Sequence, residues 1–204
     1  MRKDEKTRQH IISKSAELFN QKGYAGSSIQ DIIEATGLTK GGIYRRFSNK
    51  DEIAVEAFEY AGQVLMEQLS SAINNADTAI DKIMAVCNVH IDPVNNPPIK
   101  GGCPLLNTAV ESDDTFPILR DKALAAYEEM LSLVQGILKH GISVGEFRSD
   151  VDVESLSSFI ISSLEGSVMA SKLSRDSKHV GFVMQQLRNL LNTYIEVVSL
   201  ENLQ

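Results

Sequence analysis

The hydrogen-bond donors between Thr39 and Lys50 include the side chains of Thr39, Lys40, Tyr44, Arg45, Arg46 and Lys50. Four of them are cationic, and the chemistry they suit is the binding of anions rather than bond making. Arg45 and Arg46 carry planar guanidinium groups that pair bidentately with phosphate or with guanine. Lys40 and Lys50 are point charges suited to phosphate oxygens, and Tyr44 offers a hydroxyl for the same purpose with its ring against a small core. Lys50 lies close to the start of a following helix, where the helix dipole also favours an anion.

These groups act together only if the surrounding chain holds them on one face. Ser28 to Ala35 reads as a short helix, with Ser28 and Asp31 spaced as a capping box and Ile29, Ile32 and Ile33 on its inner side. Thr36-Gly37-Leu38 is a tight turn, and Thr39 to Phe47 is a further short helix with Ile43, Tyr44 and Phe47 at its apolar or amphipathic positions. Ahead of both, Thr7 to Gln21 repeats apolar or small residues at Ile11, Ile12, Ser15, Ala16, Leu18 and Phe19, the spacing of one buried helical face, and Gly23 is placed to cap it. Two short helices across a glycine turn, packed on the first through Ile29, Ile32, Leu38 and Ile43, make a helix-turn-helix. Its second helix presents Thr39, Lys40, Gly41, Gly42, Arg45 and Arg46 outward, as entry into a major groove requires. The same periodicity also fits a three-helix packing unit that binds nothing.

The net charge of −7 opposes nucleic-acid binding, but the charge is unevenly spread. Residues 1–50 hold ten Lys or Arg against five Asp or Glu, a net of +5, and the remaining residues carry −12. A basic head on an acidic body fits a small nucleic-acid-binding unit joined to something else; chance clustering is the alternative. With 204 residues, 43% of them hydrophobic, and 5 prolines, the chain is long enough to bury a core and lacks the composition of disorder. No apolar run approaches the ~18 residues of a membrane span. The polar stretch Met1 to His10 lacks the apolar core of a secretion signal, so a cytoplasmic location is expected. Cys87 and Cys103, without clustered histidines, offer neither a structural disulfide in that compartment nor a zinc site. No metal and no cofactor is expected, since neither a Walker loop nor a dinucleotide-binding glycine pattern after a strand occurs.

Beyond residue 50 the pattern stays helical. A long helix runs to about Ile73, another from about Thr78 to Val89, and a short one from Cys103 to Glu111. Long helices over Phe116 to His140, Asp152 to Leu173 and Lys178 to Leu200 complete the set, and the Pro- and Gly-rich stretch Asp92 to Gly102 is the longest loop. No segment alternates with the period of a strand. The expectation is an all-α chain of about nine helices, residues 1–50 forming a helix-turn-helix head and residues 51–204 a helical bundle for ligand binding and dimerisation. Gly141-Ile142-Ser143-Val144-Gly145 spells the nucleophile-elbow string of serine hydrolases. That motif needs a strand before it, and here a helix precedes it with Gly141 as its cap. No other residue set supports catalysis, and the chain is read as no enzyme.

The head carries a more specific resemblance. Gly23-Tyr24, Ser27 to Ile32, and the run Ala35-Thr36-Gly37-Leu38-Thr39-Lys40-Gly41-Gly42-Ile43-Tyr44-Arg45-Arg46-Phe47-Ser48-Asn49-Lys50 resemble the TetR/AcrR family, in register from Thr7 to about Ile53. The spacing of Tyr44, Phe47 and Lys50 is its most diagnostic part. The resemblance implies a homodimeric transcriptional regulator, read here as a repressor, on a pseudo-palindromic double-stranded DNA operator, with a body that responds to a small-molecule effector. It implies DNA-contacting roles for Ser28 and Gln30, for Thr39, Lys40, Gly41, Tyr44 and Arg45 on the recognition helix, and for Lys50 on phosphate, with Arg46 adding a phosphate or base contact. Two positions depart from the family: Gly42 replaces a frequent Ser or Thr, and Arg46 a frequent His or aromatic residue. The paired Gly41 and Gly42 weaken the recognition helix by about 1 kcal/mol each relative to Ala. A helical ligand-binding or adaptor protein that binds no operator is the alternative, and it leaves the basic Tyr44–Lys50 segment without a purpose.

In the body, Gly101-Gly102-Cys103-Pro104-Leu105-Leu106-Asn107 leads into a helix N-terminus, where a thiol is stabilised as thiolate. The segment, with Glu165-Gly166 and Lys172 further on, is similar to a subgroup of the family that holds electrophile- and flavonoid-responsive repressors. Cys103 is then either a reactive sensor or a small inert core residue. Leu106, Asn107, Tyr127 and Met169 join it as candidate effector contacts, and each fits an ordinary core as well. Cys87, on one helical face with Ile80, Ile83 and Met84, reads as core. Leu156, Phe159, Ile160 and Ser163 on one C-terminal helix, and Leu187, Leu191 and Tyr194 on the next, are the candidate dimer interface, two helices from each subunit meeting as in the family.

Overall fold

Asp4 and Glu5 occupy the first turn of α1, Lys3–Lys22, where the helix dipole favours acidic groups, so this helix begins ahead of the Thr7 that apolar periodicity marks. The computed structural model describes residues 3–195. Within them follow α2, Ile29–Thr36; α3, Lys40–Tyr44; α4, Lys50–Asn74; α5, Ala79–Asn88; α6, Pro104–Ser112; α7, Pro117–Ser143; α8, Val153–Ser174; and α9, Lys178–Asn192. Among the described residues the architecture is therefore all-α, with nine helices and a single isolated antiparallel bridge, Phe147 with Ile195.

Local sequence accounts for most of the boundaries. Ser28 and Asp31 form the reciprocal capping box at the start of α2. Thr78 and Asp152 cap α5 and α8 through their side chains, and Pro104 takes the first position of α6, where its missing N–H is not needed. Gly37 ends α2 in the left-handed region at φ 68°, donating to the Ile33 carbonyl, a conformation a side chain would strain. Helix α3 is shorter than the expected Thr39–Phe47, because two consecutive glycines leave it little intrinsic stability. The last helix stops at Asn192 rather than near Leu200; Leu200 itself lies outside the described residues.

Gly141 is not a cap. Helix α7 continues through it to Ser143, and Gly145 at φ 76° follows the helix end. A Cβ at position 141 would stand 2.6 Å from the Phe147 ring and 2.8 Å from Ala79 Cβ, so the glycine serves close packing. Ser143 lies at the end of a helix, its Oγ donating to the His140 carbonyl, which is not the strand-to-helix setting of a nucleophile elbow.

The chain divides into two compact units: Met1–Gln68 with Asp92–Glu128, and Leu69–Ile91 with Glu129–Gln204. In the first, Ile11, Ile12, Ile32, Ile43, Phe47 and Ile53 form a buried cluster, with Ile29, Ile33 and Leu38 packed against it. A second cluster, Ala16, Ala57, Ala61 and Ile99, lies along α1 and α4. In the second unit α9 packs on α8 and α5, and α8 alone buries Leu156, Ile160, Ile161, Leu164 and Val168. No helix among the described residues is long and apolar enough to cross a membrane.

Candidate nucleic-acid interface

The hydrophobic cluster of the first unit orients α3 through one side chain, Ile43, which is fully buried. Everything else on this short helix faces outward or sideways. Thr39 caps it, accepting from the Gly42 N–H at 3.2 Å. Lys40, Gly41, Tyr44 and Arg45 are exposed. Tyr44 does not lean on the core as its ring would allow: it is 44% exposed, with the Lys40 ammonium 6.0 Å above the ring, while Phe47 fills the core. Among the described residues neither Lys40 nor Arg45 has an ion-pair partner, so two cations and two hydroxyls stand on one solvent-facing patch. Ser28 and Gln30, at the start of α2, are also exposed. The Ser28 hydroxyl is engaged by Asp31, and Gln30 donates to Glu34 at 3.0 Å. Hydrogen bonds from Lys22 and Ser28 hold the Asp31 carboxyl well below the ordinary carboxylate range.

Two of the sequence-predicted cations are placed differently. The Arg46 side chain is only 13% exposed; it pairs with Asp4 and donates to the Gly42 carbonyl at 2.9 Å. It therefore folds back along α3 instead of projecting outward. Lys50 donates to the carbonyls of Tyr24 and Ser27 at 2.6 and 2.7 Å, and its ammonium lies 3.9 Å from the Tyr24 ring centre. In this arrangement its charge fastens the α1–α2 turn to the start of α4, and one donor remains for a phosphate.

Several residues hold the interface in place, and of these the sequence singles out only Asn107, as a candidate effector contact. Arg8 lies 4.1 Å over the Phe47 ring and pairs with Glu52 and Glu56, joining α1 to α4 just behind α3. Glu111 on α6 accepts from the Tyr24 and Ala25 N–H groups, both at 2.7 Å, and so clamps the α1–α2 turn. Asn20 and Asn107 join at 2.7 Å, and Asn20 donates to the Lys100 and Gly102 carbonyls. The Tyr24 hydroxyl donates to Asp51, and burial together with that bond pushes the phenol well above its ordinary pKa.

The candidate effector residues do not converge. Cys103 is 1% exposed at the N-cap of α6, without a side-chain capping bond. Asn107 lines a cavity of about 310 Å³ within the first unit, whereas Cys103, Leu106 and Tyr127 are not among its walls. Met169 belongs to the second unit and is 55% exposed on α8. Cys87 is buried as expected, and burial pushes its thiol up to about 12. Of the candidate dimer residues, Leu156, Ile160, Leu187 and Leu191 are consumed by the core of their own unit. Ser163 is half-buried, as is Tyr194, whose carbonyl accepts from the Arg148 N–H at 2.9 Å. Phe159 alone of the seven is exposed. An apolar stripe of an amphipathic helix turns first to its own bundle; the outer faces carry Phe159, Met169 and Leu173 on α8 and Phe182 on α9.

A helix-turn-helix core that carries an exposed cationic and hydroxyl patch, joined to a helical body, is the construction of a DNA-binding transcriptional regulator. Residues 11–57 match the family described as bacterial regulatory proteins, tetR family, and residues 79–197 match the tetracyclin repressor-like C-terminal domain. The chain belongs to the TetR family. It is 37% identical to a TetR transcriptional regulator from Chloroflexus aurantiacus J-10-FL, with a TM-score of 0.92 over 97% of this chain and 100% of that one. A TetR-family regulator from Cytophaga hutchinsonii is 35% identical, with a TM-score of 0.90 over 98% and 99% of the two chains. The HTH-type transcriptional repressor DhaR of Mycobacterium sp. (strain GP1) is 25% identical over 83% of this chain and 84% of its own length.

Proposed function

We propose that the chain is a cytoplasmic, homodimeric repressor that binds a palindromic double-stranded operator and is released by a small-molecule effector. The observation that carries this reading is the exposed patch of Thr39, Lys40, Gly41, Tyr44 and Arg45 on and beside a helix whose one buried side chain is Ile43. Such a patch places hydrogen-bond donors at base edges, with Arg45 suited to guanine and Lys40 to phosphate. Ser28 and Gln30 flank it, and the spare Lys50 donor reaches the backbone. Two such heads on a twofold axis read successive major grooves. The exposed Phe159, Met169, Leu173 and Phe182 supply a self-complementary apolar surface for the second copy. An effector that binds one head spacing better than the other shifts the population away from the operator-competent form.

Likeness of the Gly102–Asn107 segment to electrophile- and flavonoid-responsive repressors supports placement in that subgroup. With Cys103 buried, a non-covalent effector is the simpler trigger, since a thiol must be reached before it reacts. Selection of bound sequences from random duplex DNA tests the whole reading. An enriched palindrome is expected; a folded dimer that enriches nothing at low salt would leave the chain a ligand-binding or adaptor protein.

A further inference from the structure

The cavity of about 310 Å³ in the first unit is walled by α1, the α1–α2 turn, the first half of α4, α6 and the start of α7. Its floor is small, with Ala16, Ala54, Ala57 and Ala61, which is why space is left there. Four aromatic rings, Phe19, Tyr24, Phe58 and Phe116, surround that floor. Tyr24 and Phe116 lie 4.7 Å apart between ring centres and are tilted by 32°. The volume is about twice the 150 Å³ that accommodates benzene in an engineered apolar cavity, so a two-ring molecule fits.

The polar lining is one-sided. It includes two carboxylates, Asp51 and Glu111, and no Lys, Arg or His. Among the described residues neither carboxylate has an ion-pair partner. Glu111 spends one lone pair of each oxygen on the turn N–H groups, and Asp51 accepts the Tyr24 hydroxyl, so acceptor capacity remains on both. The nearby Lys50 ammonium is tied to the carbonyls of Tyr24 and Ser27. A separate feature also points to a ligand: Ser112 lines the cavity, is 2% exposed, and its Oγ has no hydrogen-bond partner among the described residues. A buried hydroxyl left unpaired is costly unless something enters to pair with it.

We propose that this cavity is an effector site for a small aromatic cation, stacked among Phe19, Tyr24, Phe58 and Phe116, with its charge toward Asp51 and Glu111 and a polar atom on the Ser112 hydroxyl. Aromatic faces and carboxylates in a partly dry site attract the same ligand charge. Occupancy disturbs the Tyr24–Asp51 and Glu111–turn bonds that hold the DNA-reading helices, so the ligand acts on the head directly. This regulatory half rests on the proposed repressor function; the binding half does not.

The test compares three isosteres, naphthylmethylamine, naphthylmethanol and naphthoate, by calorimetry on the full-length protein and by their effect on affinity for the selected operator. The amine is expected to bind best and the carboxylate worst. Asp51→Asn keeps an acceptor for Tyr24 but removes the charge. It should weaken the amine about tenfold, the worth of one charge-assisted contact, and spare the alcohol. Ser112→Ala should leave DNA affinity without ligand unchanged and weaken the ligand. Ala57→Leu, which fills the floor, should abolish binding of all three. Equal binding of the isosteres, or full amine affinity in both Asp51→Asn and folded Ala57→Leu, overturns the site. Amine binding that leaves operator affinity unchanged overturns its role as an effector. Cavity binding in a protein that enriches no DNA would sustain the site and reject the repressor.

Discussion

Helix α3 and helix α8 solve opposite problems. Of the five residues of α3 one, Ile43, is buried; of the 22 residues of α8, eight are. Side chains that read a surface have to stay off the core, so a reading element cannot hold itself in place. Its order is borrowed: from the Thr39 cap, from the turn at Gly37, and from Arg8 laid over Phe47. Helix α8 needs no such support, because its capping Asp152 and its Leu and Ile stripe suffice. Local stability is therefore expected to be lowest where recognition occurs.

The largest test of this contrast is a pair of core truncations. Ile43→Ala and Leu164→Ala should each cost about 2–5 kcal/mol. Hydrogen exchange should show the first confined to α1–α3 and the second spread through α5, α8 and α9; identical exchange patterns would erase the distinction. Acid should then reveal that the sturdier unit has its own weak point. Burial lowers the pKa of His90 from 6.5 to about 4, outweighing the hydrogen bond to the Val86 backbone that favours the charged ring. Between those values the unfolded chain takes up the proton more readily. Stability is thus full above about pH 6.5 and falls, by up to about 3 kcal/mol, as pH drops toward 4. His90→Leu should flatten that slope in urea titrations, and an unchanged slope would assign it to other groups. A smaller effect is expected at Gly41, where an added Cβ meets nothing within 4 Å. Gly41→Ala should raise the protection of α3 amides by about 1 kcal/mol; no gain would mean that α3 is already fully ordered. Smallest is Asp4→Asn. The Asp4 side chain is 75% exposed, so loss of its pairing with Arg46 should change Tm by no more than the worth of a surface ion pair, under about 1 kcal/mol. A larger drop would show that α1's first turn supports α3.

The same contrast explains what could be read in advance. The Ser28–Asp31 box, the inner faces of α1 and α2, and Ile43 and Phe47 as core follow from spacing, because near neighbours set them. Glu111, Asn20, Asn107 and Arg8 act across tens of residues and belong to no period, so their roles emerge only when the helices are packed. Arg46 and Lys50 were visible as cations, but whether a cation points to solvent or back to a carbonyl depends on what lies beside it. In the second unit, the apolar stripes of α8 and α9 were legible, yet a stripe does not say which neighbour it meets. Leu156, Ile160, Leu187 and Leu191 went to their own bundle, leaving Phe159 and Met169 outside.

The clamp of Glu111 on the α1–α2 turn bears on how such regulators can be rewired. A chimera that exchanges residues 1–50 transplants the recognition helix but leaves its fastener behind in the donor, since Glu111, Asn107 and Lys100 lie beyond the cut. Heads from this chain should be portable only into bodies with an acidic residue at the equivalent place on α6, or when that helix travels with them. Specificity engineering here is a matter of moving two discontinuous segments rather than one.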